Sequence, residues 1–400
     1  MAKNKQTSGK KNSGTSLILG IIVVVIGFII YAVTGVDLLG VTPTGTLEPT
    51  VQAPRISTGN FTEIDIPLGY GYQGDFWQLY FTTPSNTRDR SQYVGGVDTQ
   101  LAAAINATNN TLDIAAFEFN NAVITEAVLD AHERGVQVRI VTDDEHGLED
   151  DDSTLVELEL ASIPIVDDDR SGLMHNKFMI MDGISLWLGS MNYTVNGVYR
   201  NNNNALSLRS RRAVEVYQAE FDEMFERGEF GITSDPTNTG DFTQNGVPIQ
   251  IYFASENNVT EVLLSEIANA QSSIRFMTFS FTLDDVGIAV LEQAQAGIEV
   301  EGVFETVGSQ TEFSEMPRLL CAGLDVRQDG NNGILHHKVF IIDESTVITG
   351  SFNYSNNAVR SNDENVMIIR DADIAALYMD EFLRVQSISR IPQNIDCSNR

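Results

Sequence analysis

His175-Asn176-Lys177, four apolar residues, Asp182 and Gly189-Ser190-Met191-Asn192 return 161 residues later as His336-His337-Lys338, four apolar residues, Asp343 and Gly350-Ser351-Phe352-Asn353. The internal spacings of the two copies are the same. Histidine can serve as nucleophile or as acid and base near neutral pH, lysine supplies a point positive charge, and an Asn amide donates neutral hydrogen bonds. A phosphodiester resists attack because its oxygens are negatively charged, so a catalyst must screen that charge and supply both a nucleophile and an acid. Two histidines, two lysines and two amides in duplicate suit a pseudo-two-fold site of that kind.

The elements that must position these groups can be read around them. Phe178-Met179-Ile180-Met181 and Val339-Phe340-Ile341-Ile342 are short apolar runs without helical spacing, so each motif opens a strand. Residues two apart on a strand share a face. His175 and Lys177 therefore point together, as do His336 and Lys338, while Asn176 and His337 face away. Asp182-Gly183 and Asp343-Glu344 supply turns, and a second apolar run in each copy leads to Gly-Ser-x-Asn, which places Asn192 and Asn353 at strand ends. The repeat extends further: Trp77–Phe81 matches Ile249–Phe253, Thr111–Phe117 matches Ser273–Phe279, and Val136–Val141 matches Ile298–Val303, with helix-like stretches between. Strands alternating with such stretches predict α/β halves, each with a mixed or parallel sheet.

The pattern His-x-Lys-x4-Asp-x6-Gly-Ser-x-Asn, present twice, resembles the phospholipase D superfamily over roughly residues 75–385. The resemblance implies two phospholipase D-like α/β lobes related by a pseudo-two-fold. It also implies a reaction in which one His forms a covalent phosphohistidine and the other protonates the leaving alcohol, before water hydrolyses the intermediate. Lys177, Lys338, Asn192, Asn353, Ser190 and Ser351 are then expected at the phosphate, and Asp182 and Asp343 in turn and supporting positions. No metal or other cofactor is expected, because a lysine beside each histidine would repel a cation and no His/Cys/Asp group has ligand spacing.

Twenty-eight residues after His336 lies Glu364, the position from which similar proteins hydrogen-bond their own catalytic His; the equivalent in the first copy is Asn203, a departure from the commonest family pattern. A carboxylate favours a protonated imidazole and an amide does not. The expectation is therefore that His336, backed by Glu364, is the general acid and His175, beside Asn203, the nucleophile. A phosphohistidine is also cationic and would welcome Glu364, which argues the other way. Of the other histidines, His132 reads as helix surface, His146 as an exposed loop residue near the cleft, and His337 as packing.

Lys3, Lys5, Lys10 and Lys11 precede an uncharged apolar stretch, 16–36, about the ~20 residues needed to cross a bilayer. The expected order is a basic cytoplasmic tail (1–15), a single transmembrane anchor (16–36), a flexible stalk (37–60) of about 25–30 Å reach, a first lobe (61–230), a linker (231–248) and a second lobe (249–390). A cleaved signal peptide is the second reading of the apolar stretch. Everything after Asp37 would lie outside the cytoplasm. There Cys321 and Cys397 could pair, although Cys321 also reads as a buried thiol.

The net charge of −30 opposes a polyanionic partner, since nucleic-acid binders gain affinity through a basic face. Acidic runs Glu149–Asp152 and Asp167–Asp169 lie near the approach to His175. A phospholipid beside the membrane meets less opposition, so phospholipid hydrolysis is the leading expectation. An extracytoplasmic endonuclease and a phosphatidyl transferase of the cardiolipin synthase kind share the motif. A binding protein with a dead site would require a lost His or Lys, and neither copy has lost one. Two motifs in one chain leave a monomer as the default.

Overall fold

The computed structural model describes residues 59–393 and 395–398. The basic tail, the apolar stretch and nearly all of the stalk lie outside the described residues, and among the described residues no helix is long and apolar enough to cross a membrane.

The first sheet contains β1 (Thr62–Ile64), β2 (Gly69–Gln73), β3 (Trp77–Thr82), β4 (Thr111–Ala116), β5 (Gln137–Thr142), β6 (Ile165–Asp167), β7 (Lys177–Met181), β8 (Ser185–Gly189) and β9 (Asn204–Arg209). The second contains β10 (Gly240–Gln244), β11 (Val247–Ala254), β12 (Ser273–Thr278), β13 (Glu299–Phe304), β14 (Asp325–Gln328), β15 (Lys338–Ile342), β16 (Thr346–Gly350) and β17 (Glu364–Arg370). Their orders are β1-β2-β3-β9-β8-β7-β4-β5-β6 and β10-β11-β17-β16-β15-β12-β13-β14. Eight strands of the first sheet, β2 onward, thus correspond in order to the eight of the second. Both sheets are mixed: β4-β5-β6 and β12-β13-β14 are parallel and the remaining pairs antiparallel. The second sheet begins inside the stretch expected as linker, because β10 forms a hairpin with β11 there.

Each motif strand is central, and its residues are buried on both faces. That explains the unbroken apolar runs, since a strand covered on one face only would alternate. Helix Arg211–Asp222, capped by Ser210, and helix Ala372–Ile388, capped by Asp371, pack between the sheets. Tyr217 meets Phe178 of one sheet at 5.0 Å and Phe253 of the other at 5.1 Å, so a single apolar core joins the lobes. Separate cores lie beneath the outer helices of each lobe. Cys321 and Cys397 form a disulfide in the second lobe.

Candidate active site

The backbone brings the two motifs together before any side chain does. His175 N donates to Asp363 O at 3.0 Å, and His336 N donates to Asn202 O at 2.9 Å; Asp363 N and Asn202 N return bonds to Leu173 O and Ile334 O. Each motif segment is therefore stitched to the opposite lobe. Gly189 and Gly350, at positive φ, let the Gly-Ser-x-Asn turns pass where a Cβ would collide with Asn204 O or Asn365 O.

The side chains follow the same crossed arrangement. His175 Nδ1 lies 2.7 Å from Glu364 Oε2, and His336 Nδ1 lies 2.9 Å from Asn203 Oδ1 and 3.0 Å from Ser190 O. The expectation that Glu364 backs His336, and Asn203 His175, is thus reversed: Asn203, just before β9, and Glu364, which opens β17, reach across the dyad, because the residues leading into each strand are bridged to the opposite motif. Asn203 donates its own Nδ2 to Gly197 O, which fixes Oδ1 as an acceptor. Both imidazoles accordingly carry hydrogen on Nδ1 and leave Nε2 for chemistry. Asn176, paired with Asn365, and His337, held between Asn204 and Glu381, face away from the pocket into packing, as strand alternation requires.

A wider frame repeats the crossing. Arg170, from the loop before β7, pairs with Asp363 and with Asp168 and donates to Ser361 O. In the corresponding place before β15, Asn331 donates to Asn202 Oδ1. Asp143 and Glu305, each following a parallel strand, accept from Met174 N and Leu335 N and so hold the approach to both histidines. Asp143 and Glu305 match, but the partners that cross the dyad are ionic around His175 and amides around His336.

Lys177 Nζ donates to His175 O at 2.6 Å and Lys338 Nζ to His336 O at 2.9 Å, with the Phe117 and Phe279 rings beneath them at 4.8 and 4.7 Å. The same rings lie edge-on to His175 and His336. Burial pulls Lys177 down to about 7, against the opposing pull of Glu364 and Glu118, and holds Lys338 well below the usual lysine value, with Lys177 adding to the effect. Burial, reinforced by both lysines, holds each histidine well below the usual imidazole value. That each ring feels the lysine of the opposite lobe reflects one shared pocket. Burial also pushes Glu364 up to about 7, with Lys177 resisting. The site therefore holds buried lysines whose charged form burial disfavours and an entering phosphate anion would restore.

The remaining expected residues separate into groups. Ser190 and Ser351, expected at the phosphate, instead give their hydroxyl protons to Asn203 Oδ1 and Glu364 Oε2 at 2.8 Å each, so they orient the partners of the histidines. Asn192 Nδ2 donates to Glu118 Oε2 at 2.6 Å. Asn353 follows β16 in the matching place, and its Oδ1 is buried without a hydrogen bond, as is that of Asn192. Asp182 and Asp343 lie at the far ends of β7 and β15, about 16 Å of strand from the lysines. There they accept from the backbone N–H groups of Asn109, Asn110 and Thr111, and of Gln271, Ser272 and Ser273. Burial alone would raise these carboxyls, but the N–H groups outweigh it and hold them low. They fix turns at positive φ and take no part in the pocket. His146 stands against Phe117 at 5.0 Å.

Among the described residues one acidic group, Asp143, Asp144 and Asp168, brings ligand atoms within 4.8 Å of one another. Asp143 accepts from His146 N and Met174 N, and Asp168 accepts through Oδ1 from Asp144 N, while its Oδ2 has no hydrogen bond but lies 3.2 Å from the Arg170 guanidinium. Glu118, Phe117, Phe279, Arg170 and Asp363 were not expected from the sequence. For Glu118 the available signal was the repeat itself, which sets Glu118 against Ser280 once Phe117 is aligned with Phe279.

The sequence profile described as "Cardiolipin synthase, PLD-like domain" matches residues 101–225 and again 263–386. The chain is 34% identical over 131 residues to the mitochondrial cardiolipin hydrolase of Mus musculus, covering 33% of this chain and 59% of that protein. It is 31% identical over 131 residues to a phospholipase D of Rickettsia bellii, covering 33% and 65%. The match thus spans less than two thirds of either relative. The crystal structure of phosphatidylserine synthase from Haemophilus influenzae shares the fold, with a TM-score of 0.58 at 12% identity over 76% of this chain and 87% of that one. With both of its halves matched by the profile, and a His-Lys pair from each meeting in one pocket, the chain belongs to the phospholipase D-like family.

Proposed function

We propose that this protein is a phosphodiesterase of the phospholipase D type that hydrolyses phospholipid headgroups through a phosphohistidine on His175. The observation that carries the reading is the pair of imidazoles, each pinned through Nδ1–H by a partner from the opposite lobe and each under the field of both lysines.

The substrate phosphate lies between the lysines, whose positive charge its anion restores. His175 Nε2 attacks phosphorus and the bond to the leaving oxygen breaks; His336 Nε2–H gives that oxygen its proton, releasing an alcohol. Water then attacks phosphorus, His336 takes its proton, and the bond to His175 breaks. The negative phosphate beside it raises the low proton affinity of His336 enough to charge the ring, while the neutral acceptor Asn203 keeps it a ready donor. His175 bears a positive charge for the whole life of the intermediate. Glu364, backed by Ser351 and Asn362, is placed to offset it. The nucleophile thus stays His175, on the ground that a carboxylate supports a lasting cation rather than on the partnership first expected. Lysines at the phosphate leave no need for a metal ion in this cycle.

The acidic balance of the chain favours a lipid over a polyanion. The apolar stretch 16–36 would hold the catalytic unit beside its substrate, with that unit on the extracytoplasmic side. Both motifs lie on one chain, so a monomer can complete the site. The test is the full-length protein in neutral detergent, with chelator, assayed on phosphatidylcholine, phosphatidylethanolamine and cardiolipin and on single- and double-stranded DNA. Phosphatidic acid or the corresponding lipid product, without DNA cleavage and absent from His175→Ala and His336→Ala, is the expected outcome. DNA fragments without a lipid product would transfer the reading to an endonuclease.

A further inference from the structure

Glu118 has no part in the cycle above, yet it touches the machinery. It follows β4, where the second lobe has Ser280. Its Oε2 accepts from Asn192 Nδ2 at 2.6 Å, and its charge acts on Lys177 and on Lys338, the lysines of both lobes. The two lysines and Asn192 are buried, whereas Glu118 keeps partial contact with solvent, although burial still pushes its carboxyl up against the opposing pull of Lys177 and Asn192. A side chain that contacts a buried pocket residue while itself reaching solvent lies at the pocket margin, here on the first lobe's side only. The site is consequently asymmetric: the two lysines lie within it, and Glu118 stands at its margin on the first lobe's side.

A phosphodiester brings one negative charge for the lysines. Any further negative charge on its substituent would meet Glu118 at short range in a poorly solvated setting, where like charges repel strongly. An ammonium or hydroxyl on the same arm would find an acceptor instead. We propose that Glu118 is a specificity residue that accepts hydrogen bonds from a cationic or hydroxyl-bearing headgroup and rejects a phosphodiester whose arm carries additional negative charge. This rests on the phosphodiesterase reading and narrows its substrate class to phosphodiesters with an ammonium or polyol arm.

The competing role, in which Glu118 merely orients Asn192, predicts a different result in one assay. Full-length protein in neutral detergent hydrolyses bis-p-nitrophenyl phosphate while phosphoethanolamine or phosphoglycolate competes; the two inhibitors share a phosphate and differ in bearing an ammonium or a carboxylate. The wild type should favour phosphoethanolamine by about tenfold or more in Ki. Glu118→Gln keeps an oxygen acceptor for Asn192 but loses the charge, and should reduce the preference to about threefold or less. Glu118→Ser, which copies the second lobe, should do the same and guards against a fault peculiar to Gln. An equal preference in wild type and both variants, or none in the wild type, overturns the proposal. The lipid and DNA panel stands apart: a protein that cleaves DNA but keeps a Glu118-dependent preference loses the phospholipid reading alone, and one that cleaves lipid with an unchanged preference loses only the role of Glu118.

Discussion

Around His175 the opposite lobe contributes a carboxylate, Glu364, flanked by the Asp363–Arg170 ion pair; around His336 the same places hold Asn203, Asn202 and Asn331. Backbone bridges, tautomers, supporting serines and lysines match between the two, so the difference is one of charge and not of architecture. An amide orients an imidazole as well as a carboxylate does. What the amide cannot do is offset a persistent positive charge on the ring, and in the proposed cycle only one ring carries such a charge between the two displacements. Duplication supplied two equivalent sockets, and side-chain chemistry has made them unequal.

Neutralising the ionic side should have the largest effect. Glu364→Gln retains an oxygen toward His175 but removes its charge, and should lower kcat by about 10²–10³-fold. Asn203→Ala removes one of the two acceptors of His336, leaving Ser190 O, and should cost about tenfold or less. Equal losses in steady-state turnover would erase the distinction between the sockets.

The surrounding frame should show the same contrast in stability. Arg170→Gln leaves Asp363 and Asp168, both with fully buried side chains, without their cation. Equilibrium unfolding in urea should show a loss of about 3 kcal/mol, the scale of a broken buried ion pair. Asn331→Ala removes a neutral hydrogen bond and should cost about 1 kcal/mol. A cost for Asn331→Ala matching that of Arg170→Gln would show that the charged frame contributes no more than the amide one.

The lysines are the part the sockets share, and their effect on pH dependence is smaller. With Lys177 drawn down to about 7, the empty site loses positive charge as pH rises past that value, and a bound phosphodiester must draw a proton back. KM for bis-p-nitrophenyl phosphate should therefore rise severalfold above about pH 7 while kcat changes less, and proton uptake on binding inorganic phosphate should appear in calorimetry with buffers of different ionisation heats. A KM that stays flat through that range would contradict the buried-cation picture.

Much of this arrangement is legible from residue order. The unbroken apolar runs marked central strands, the period of two put His336 with Lys338 on one face and His337 on the other, and the spacing of the two copies indicated a duplicated lobe. The crossing of Glu364 and Asn203 was not legible, because sequence separation favours a partner in the same copy whereas the dyad brings the start of β17 to the first motif. Asp182 and Asp343 have motif spacing but lie a strand's length from the chemistry, since five strand residues carry a chain across the whole sheet. Glu118 went unread because its significance arises only where two lobes enclose one pocket.

The two sockets differ most in which imidazole carries the phosphoryl group. Labelling stopped with alkaline denaturant, which preserves the acid-labile phosphorus–nitrogen bond, using a phosphodiester with a radiolabelled phosphate and a nitrophenolate leaving group that departs without a proton donor, can separate the two steps in the single variants. His336→Ala should accumulate label on His175, because it retains the nucleophile and lacks the group that activates water, while His175→Ala should accumulate none. Label on His336 in the His175→Ala protein, with none in His336→Ala, would contradict this assignment.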